Sequence, residues 1–388
     1  MRPSLLVVSR YLPEDIPSST EGTPELTENE TKDDSMDKFN HPRLRRGLIL
    51  HELKARQQNT NSNAIEFVKP DAASPKDGLK VYENVQSSGL IEFLSTAWEQ
   101  WDAMGPDGQD PFASMAALSS GTPPLVPGNV PLPREPYQRP SQNVMGKIGY
   151  YCTDTCTPIF ANLKEELLWD VAVMQQAIDR IQEYKTVYAL ATHPGHHAAQ
   201  DSFGGYCYLN HAAFAARKLQ SQYGYTKVAV LDVDYHCGNG TASIFYEDPS
   251  VLVISIHCHP DYDYPFHSGF EDETGVGEGK GTTLHLPLPP QTSWKEYNVA
   301  MEQAMKAIQS FGAQALVVSL GLDTLHGDPC AIRRAGFLLS GNDYVEMGQW
   351  IGSYANTIPI LVVQEGGYFM DQVPSAASDV IQSCAASK

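Results

Sequence analysis

No stretch of this 388-residue chain approaches the length of apolar sequence needed to span a membrane. The opening run Leu5-Leu6-Val7-Val8 is too short for a secretory signal core. These two absences predict a soluble protein of the cytoplasm. Basic charge is also scarce: 27 Lys and Arg stand against 46 Asp and Glu, a formal net charge of −19. Such a surface repels nucleic-acid phosphates and attracts cations, so a nucleic-acid partner is disfavoured and a cationic substrate favoured. Part of the acidity is local, because nine acidic residues and two lysines lie between Glu14 and Lys38. The seven cysteines are odd in number and scattered, which speaks against a disulfide framework. Cys152 and Cys156 have no second Cys/His pair at the spacing of a structural zinc site. No internal repeat is evident.

What is present reads as an α/β protein. Leu5–Ser9 predicts a first buried strand, followed by an acidic polar loop over 10–40. Pro42 opens a helical pattern through Arg56 with Leu44, Leu48 and Leu50 as its apolar side. Leu90, Phe93, Leu94 and Trp98 mark a second helix. The stretch 102–145 carries nine prolines and predicts a long loop over the rim of a site. Beyond residue 160, helical segments alternate with the apolar runs Thr186–Thr192, Lys227–Asp234, Ser250–His257, Ala315–Gly321 and Pro359–Gln364. That alternation predicts one three-layer α/β/α domain over 1–388 with a central parallel sheet.

Each run ends in residues capable of chemistry: His193, His196 and His197; Asp232, Asp234, His236 and Asn239; Ser255, His257 and His259; Asp323; and Glu365-Gly366-Gly367-Tyr368. In parallel sheets, ligands bind at the carboxyl ends of strands. Alternation along an extended chain would put Asp232, Asp234 and His236 on one face. Two carboxylates and an imidazole buried together call for a cation, and zinc suits such donors. The plainer alternative, carboxylates capping the next helix, leaves Asp323 at another strand end unexplained. His196-His197 could serve as general base and acid, with Asp232 and Asn239 as orienting partners. Tyr368, after two glycines, can present a hydroxyl to a developing oxyanion.

The segments Pro194-Gly195-His196-His197-Ala198, Phe203 to Asn210, Leu231 to Gly240, Gly321 to Pro329 and Glu365 to Tyr368 resemble the histone deacetylase superfamily. Gly146 to Tyr151, Glu273-Thr274-Gly275 and Gly281-Thr282-Thr283 extend the likeness, which is nearest to the acetylpolyamine amidohydrolases. The resemblance implies the arginase–deacetylase fold and one catalytic Zn2+ held by Asp234, His236 and Asp323. It implies His197 as general base and acid, Asp232 orienting His196, Asn239 facing His197, and Tyr368 donating to the oxyanion. It further implies substrate contacts from the Gly205 carbonyl, Tyr206 and Tyr264. A structural K+ would lie at Asp232, Ser255 and the carbonyls of Asp234, His236 and Ile256, with a second near Phe245 and Val251.

The chain departs from the family pattern at Cys237, where a second histidine is usual, and at Cys330, where some polyamine-selective relatives carry a glutamate. The bacterial amidohydrolases narrow their site with a long loop and a dimer partner. The 102–145 stretch occupies the corresponding place, with Asp107 and Asp110 as candidate contacts. The expectation is hydrolysis of an acetylated polyamine or diamine, with a homodimer as assembly. Its rivals are a protein lysine deacetylase and a catalytically silent scaffold of the same fold.

Overall fold

The computed structural model describes residues 3–15, 42–59, 65–71, 77–104, 124–128, 137–331 and 336–387. Most of the acidic 10–40 stretch and most of the 102–145 loop, including Asp107 and Asp110, lie outside the described residues.

Eight parallel strands form one sheet: β1 (Leu5–Ser9), β2 (Ile65–Val68), β3 (Thr186–Leu190), β4 (Val228–Asp232), β5 (Val251–Cys258), β6 (Thr283–Leu288), β7 (Ala315–Leu320) and β8 (Ile360–Gln364). Their spatial order is β2-β1-β3-β8-β7-β4-β5-β6. Central strands read as unbroken apolar runs because both faces are covered. On β4, Val228 and Val230 join one core while Ala229 and Leu231 join the other. β7 divides in the same way, with Ala315 and Val317 opposite Leu316 and Val318. The helices Ser88–Asp102, Leu163–Asp179 and His211–Tyr223 close the first face. Pro42–Asn59, Trp294–Phe311, Asn342–Gly352 and Val373–Ala386 close the second. The expected three-layer architecture with a parallel sheet is what the chain adopts.

Three local expectations need correction. First, β2 and β6 were not among the anticipated strands. Both are sheet edges, one of four residues and one containing Pro287, so neither shows the apolar continuity of a central strand. Second, Leu44 and Leu48 are only partly buried, while the same helix buries Arg45 and Arg46. The arginines pack inward because carbonyl and hydroxyl partners await them: Arg45 donates to Gly367 O at 3.2 Å, and Arg46 donates to the Thr192 hydroxyl.

Third, β4 stops at Asp232, so strand alternation does not gather Asp234 and His236. A chain of carboxylate-to-amide bonds does so instead. Asp232 Oδ1 accepts from Asp234 N at 3.0 Å, and Asp234 Oδ1 accepts from His236 N at 2.9 Å. Each carboxylate thus turns the chain two residues on.

Leu316 lies in β7 with no exposed surface. Leu316→Ala should lower unfolding free energy by about 2–5 kcal/mol, read from urea denaturation midpoints at unchanged slope.

Candidate active site

The C-terminal ends of β3, β4, β7 and β8 converge on a cavity of about 410 Å³. His196, His197, Asp234, His236, Asp323 and Tyr368 all line it, along with Gly205, Tyr206 and Tyr264. Every residue of the anticipated catalytic, metal and channel sets that could reach the cavity therefore does so. Asp232 and Asn239 stand one layer behind. His193 and His259 do not join: His193 Nε2 pairs with Glu166 at 2.8 Å, and His259 Nδ1 accepts from Asp261 N at 3.1 Å.

Asp234, His236 and Asp323 each offer a ligand atom within 4.8 Å of the others. His236 Nδ1 is 3.0 Å from Asp323 Oδ2 and 3.3 Å from Asp234 Oδ1. The remaining carboxylate oxygens are fixed by backbone amides. Gly366 N donates to Asp234 Oδ2 at 2.9 Å, and Tyr235 N donates to Asp323 Oδ1 at 2.9 Å. Gly366 must be glycine, since a Cβ there would stand 2.6 Å from both Asp234 Oδ2 and Asp323 Oδ2. Both aspartates are fully enclosed, and no Lys or Arg lines the cavity among the described residues. Burial and the charge of Asp234 raise the Asp323 carboxyl to about 7. Two enclosed carboxylates and one imidazole, with no Lys or Arg beside them among the described residues, are a donor set that fits a divalent metal ion.

The histidine pair is asymmetric by construction. The rings lie 3.9 Å apart, centroid to centroid. His196 Nδ1 pairs with Asp232 Oδ2 at 2.9 Å, whereas His197 Nδ1 meets only the neutral Asn239 Oδ1 at 2.7 Å. Burial alone would lower both. For His196 the carboxylates of Asp234 and Asp232 reverse this and raise it to about 10. For His197, burial and then the neighbouring His196 and His236 push it well below the ordinary value. One ring is held charged and the other neutral.

Sequence reasoning missed the scaffold around these groups. Glu365 Oε2 accepts from Gly195 N at 2.6 Å and His196 N at 3.2 Å, which fixes the turn that carries the dyad. Asp328 Oδ2 accepts from Tyr368 N at 2.7 Å and Phe369 N at 3.0 Å. Arg45 lies 5.6 Å from the Tyr368 ring centroid. Glu365 and Asp328 fall inside the recognised motifs, but nothing in the sequence said that their carboxylates grip distant backbone amides. Gly205 and Tyr206 take left-handed φ values of 58° and 65°. Asp154 secures that bend by accepting from Gly205 N at 2.5 Å, and Thr157 Oγ1 accepts from Tyr206 N at 2.9 Å. The Tyr264 ring stands edge-on to His197 at 4.8 Å, and Tyr206 lies 5.9 Å from Tyr368.

Residues 40–384 match the family model of the histone deacetylase domain. The chain belongs to the histone deacetylase family. It is 37% identical over 317 residues to the acetylpolyamine amidohydrolase of Mycoplana ramosa, covering 81% of this chain and 86% of that protein. Acetylpolyamine amidohydrolase 2 of Pseudomonas aeruginosa is 36% identical, with 80% and 85% covered. Human histone deacetylase 7 is 34% identical over 210 residues, covering 53% of this chain and 21% of that protein. The crystal structure of acetylpolyamine aminohydrolase from Burkholderia pseudomallei superposes with a TM-score of 0.75 at 26% identity, covering 99% of each chain. The arginase–deacetylase fold is thereby shown.

Imidazole NMR on the metal-free protein tests the dyad. His196 should keep its charge from neutral pH up to about 10, and His197 should stay neutral through mildly acidic pH. The unfolded imidazole titrates near 6.5. The stabilisation from His196 is therefore complete below that pH and lost as pH rises through about 10. Two rings titrating together near 6.5 would contradict the asymmetry.

Proposed function

We propose that this chain is a zinc-dependent amidohydrolase that cleaves the acetyl amide of acetylated polyamines or diamines, releasing acetate and the free amine. The observation that carries the substrate class is the lining of the cavity. It holds four carboxylates, from Asp154, Asp234, Asp263 and Asp323, and three tyrosines, Tyr206, Tyr264 and Tyr368, with no Lys or Arg among the described residues. Such a lining suits an alkyl chain bearing ammonium groups, through apolar contact, charge and cation–π attraction. The likeness to the two bacterial amidohydrolases over most of each chain supports the same reading.

Asp234, His236 and Asp323 would hold the ion. Zinc there would polarise the acetyl carbonyl and acidify the attacking water. His197, kept neutral by its surroundings, accepts a proton from that water and later returns it to the leaving amine. Asn239 holds the other nitrogen of His197 so that the accepting one faces the cavity. His196 stays charged on Asp232 and adds positive potential beside the reacting carbonyl. Tyr368 donates its hydroxyl to the acetyl oxygen as negative charge builds there. Burial raises the phenol's pKa well above the ordinary value, so it arrives protonated. Arg45 donates to the carbonyl of Gly367, the residue before it, at 3.2 Å and steadies the approach of the ring. The Gly205 carbonyl, Tyr206 and Tyr264 would line the path of the substrate amine.

We further assign a structural K+ to Asp232, Ser255 and the carbonyls of Asp234, His236 and Ile256, and a second near Phe245 and Val251. A homodimer working in the cytoplasm completes the proposal. The absence of a disulfide among the seven cysteines suits a reducing compartment, and no helix among the described residues is long and apolar enough to cross a membrane.

Tyr368→Phe should keep zinc binding and lower kcat by about 10²–10³. Unchanged turnover in that variant would remove Tyr368 from the mechanism. Acetate release from acetylputrescine and acetylspermidine should exceed that from an acetyl-lysine peptide. Faster release from the peptide would make this a protein lysine deacetylase. Release from none of them, with zinc bound, would leave a silent scaffold.

A further inference from the structure

Behind the catalytic face lies a second group of metal-binding side chains that the proposed reaction does not use. Cys237 follows His236 in the turn after β4, His257 lies near the end of β5, and His285 lies within the edge strand β6. All three are buried, and each offers one ligand atom within 4.8 Å of the others. Cys237 Sγ is 3.7 Å from His285 Nδ1. A tetrahedral zinc with Zn–S of about 2.3 Å and Zn–N of about 2.0–2.1 Å sets sulfur and nitrogen about 3.6 Å apart. The Cys237–His285 separation lies close to that value.

The hydrogen bonding of the two rings points the same way. The Gly269 carbonyl can only accept, and it stands 2.9 Å from His257 Nε2. Nδ1 lies 2.8 Å from the Ser255 hydroxyl and 3.1 Å from the Ser255 carbonyl, so the ring would bind a metal through Nδ1 as the tautomer with its hydrogen on Nε2. His285 Nε2 is enclosed and has no hydrogen-bond partner. Its nearest carboxylate oxygen is Glu273 Oε2, at 3.7 Å. Buried ring nitrogens are rarely left unmatched in this way. Coordination through Nδ1 of both rings would keep the His257 Nε2–H on the Gly269 carbonyl and leave the His285 Nε2–H facing the Glu273 carboxylate, 3.7 Å away. This is how metal-binding imidazoles are commonly held. Gly269, at φ 109°, lets its loop close over the trio, since a Cβ there would come within 2.6 Å of His257 Nε2 and 3.0 Å of Cys237 Sγ.

We propose that Cys237, His257 and His285 form a second, structural metal site for a zinc-class divalent ion, separate from the Asp234, His236 and Asp323 centre. Such an ion would tie the turn that carries His236 and Asn239 to β5 and β6. The site depends on the thiol of Cys237, at the position where the family usually has histidine.

Cobalt(II) loading of the full chain tests this, because the Asp/His/Asp centre has no sulfur donor. The metal-free protein should take up about two cobalt equivalents after dialysis and show a thiolate-to-cobalt charge-transfer band in the near ultraviolet. Cys237→Ser should lose the band and one equivalent. Asp323→Ala should lose one equivalent and keep the band. Should Cys237→Ser fail to fold by circular dichroism, His285→Gln decides the matter on the same readouts, with loss of band and equivalent expected. A single equivalent with no band in the wild-type chain would overturn the proposal. So would a band that survives Cys237→Ser, which would then belong to another thiol, such as Cys330 or Cys156 in the catalytic cavity or Cys207.

Discussion

The organisation of this molecule follows from burying negative charge at the ends of parallel strands. Asp232, Asp234, Asp323 and Glu365 are all enclosed within a few residues of a strand terminus. Unpaired, such carboxylates would be prohibitively unfavourable. Each is answered by a different device. Asp232 has the His196 imidazole at 2.9 Å. Glu365 has two backbone amides and the Ser319 hydroxyl at 2.9 Å. Asp234 and Asp323 share His236, Asp234 also faces the His196 imidazole at 3.7 Å, and the two carboxylates with His236 would hold a divalent ion. The sheet makes this possible, because its parallel strands deliver all four groups to the same edge.

The same logic explains why the two histidines, adjacent in sequence, differ in charge. A carboxylate behind one ring and an amide behind the other set their protonation apart. Had both faced carboxylates, both would be charged and neither could accept a proton. The difference between Asp232 and Asn239 is thus a division of labour between electrostatic support and proton transfer. It resides in residues that never touch the cavity.

How far this could be read from sequence depended on whether the signal was local. The central strands were legible because burial on both faces leaves a continuous apolar run, as in Val228 to Leu231. The edge strand β6 was not, because its buried residues are the polar Thr283 and His285 and Pro287 interrupts the pattern. The site's reactive groups were legible because each closes a strand: His196 and His197 after β3, Asp323 after β7, Tyr368 after β8. The reasoning that grouped Asp234 with His236 reached the right pair by a wrong route, since a carboxylate-to-amide turn, not strand pleating, joins them. The burial of Arg45 and Arg46 was illegible because it depends on acceptors 146 to 322 residues away along the chain. Glu365 and Asp328 were seen as motif members, but their grip on Gly195 and Tyr368 is tertiary and leaves no periodicity.

Cys237 shows where local pattern and tertiary context must be read together. Seen along the chain, it is a single replacement within a familiar motif, suggesting only altered support for the neighbouring ligand. Seen in the fold, it faces two histidines from adjacent strands, one of them with an unmatched buried nitrogen. A thiol is a smaller and softer donor than the usual imidazole, and its sulfur stands 3.7 Å from His285 Nδ1 rather than at close hydrogen-bonding distance. As a hydrogen-bonded core the arrangement leaves His285 Nε2 unmatched, while its three donors lie close enough together to share an ion. That contrast, more than the identity of any one residue, is the reason to regard the region behind the catalytic centre as a binding site.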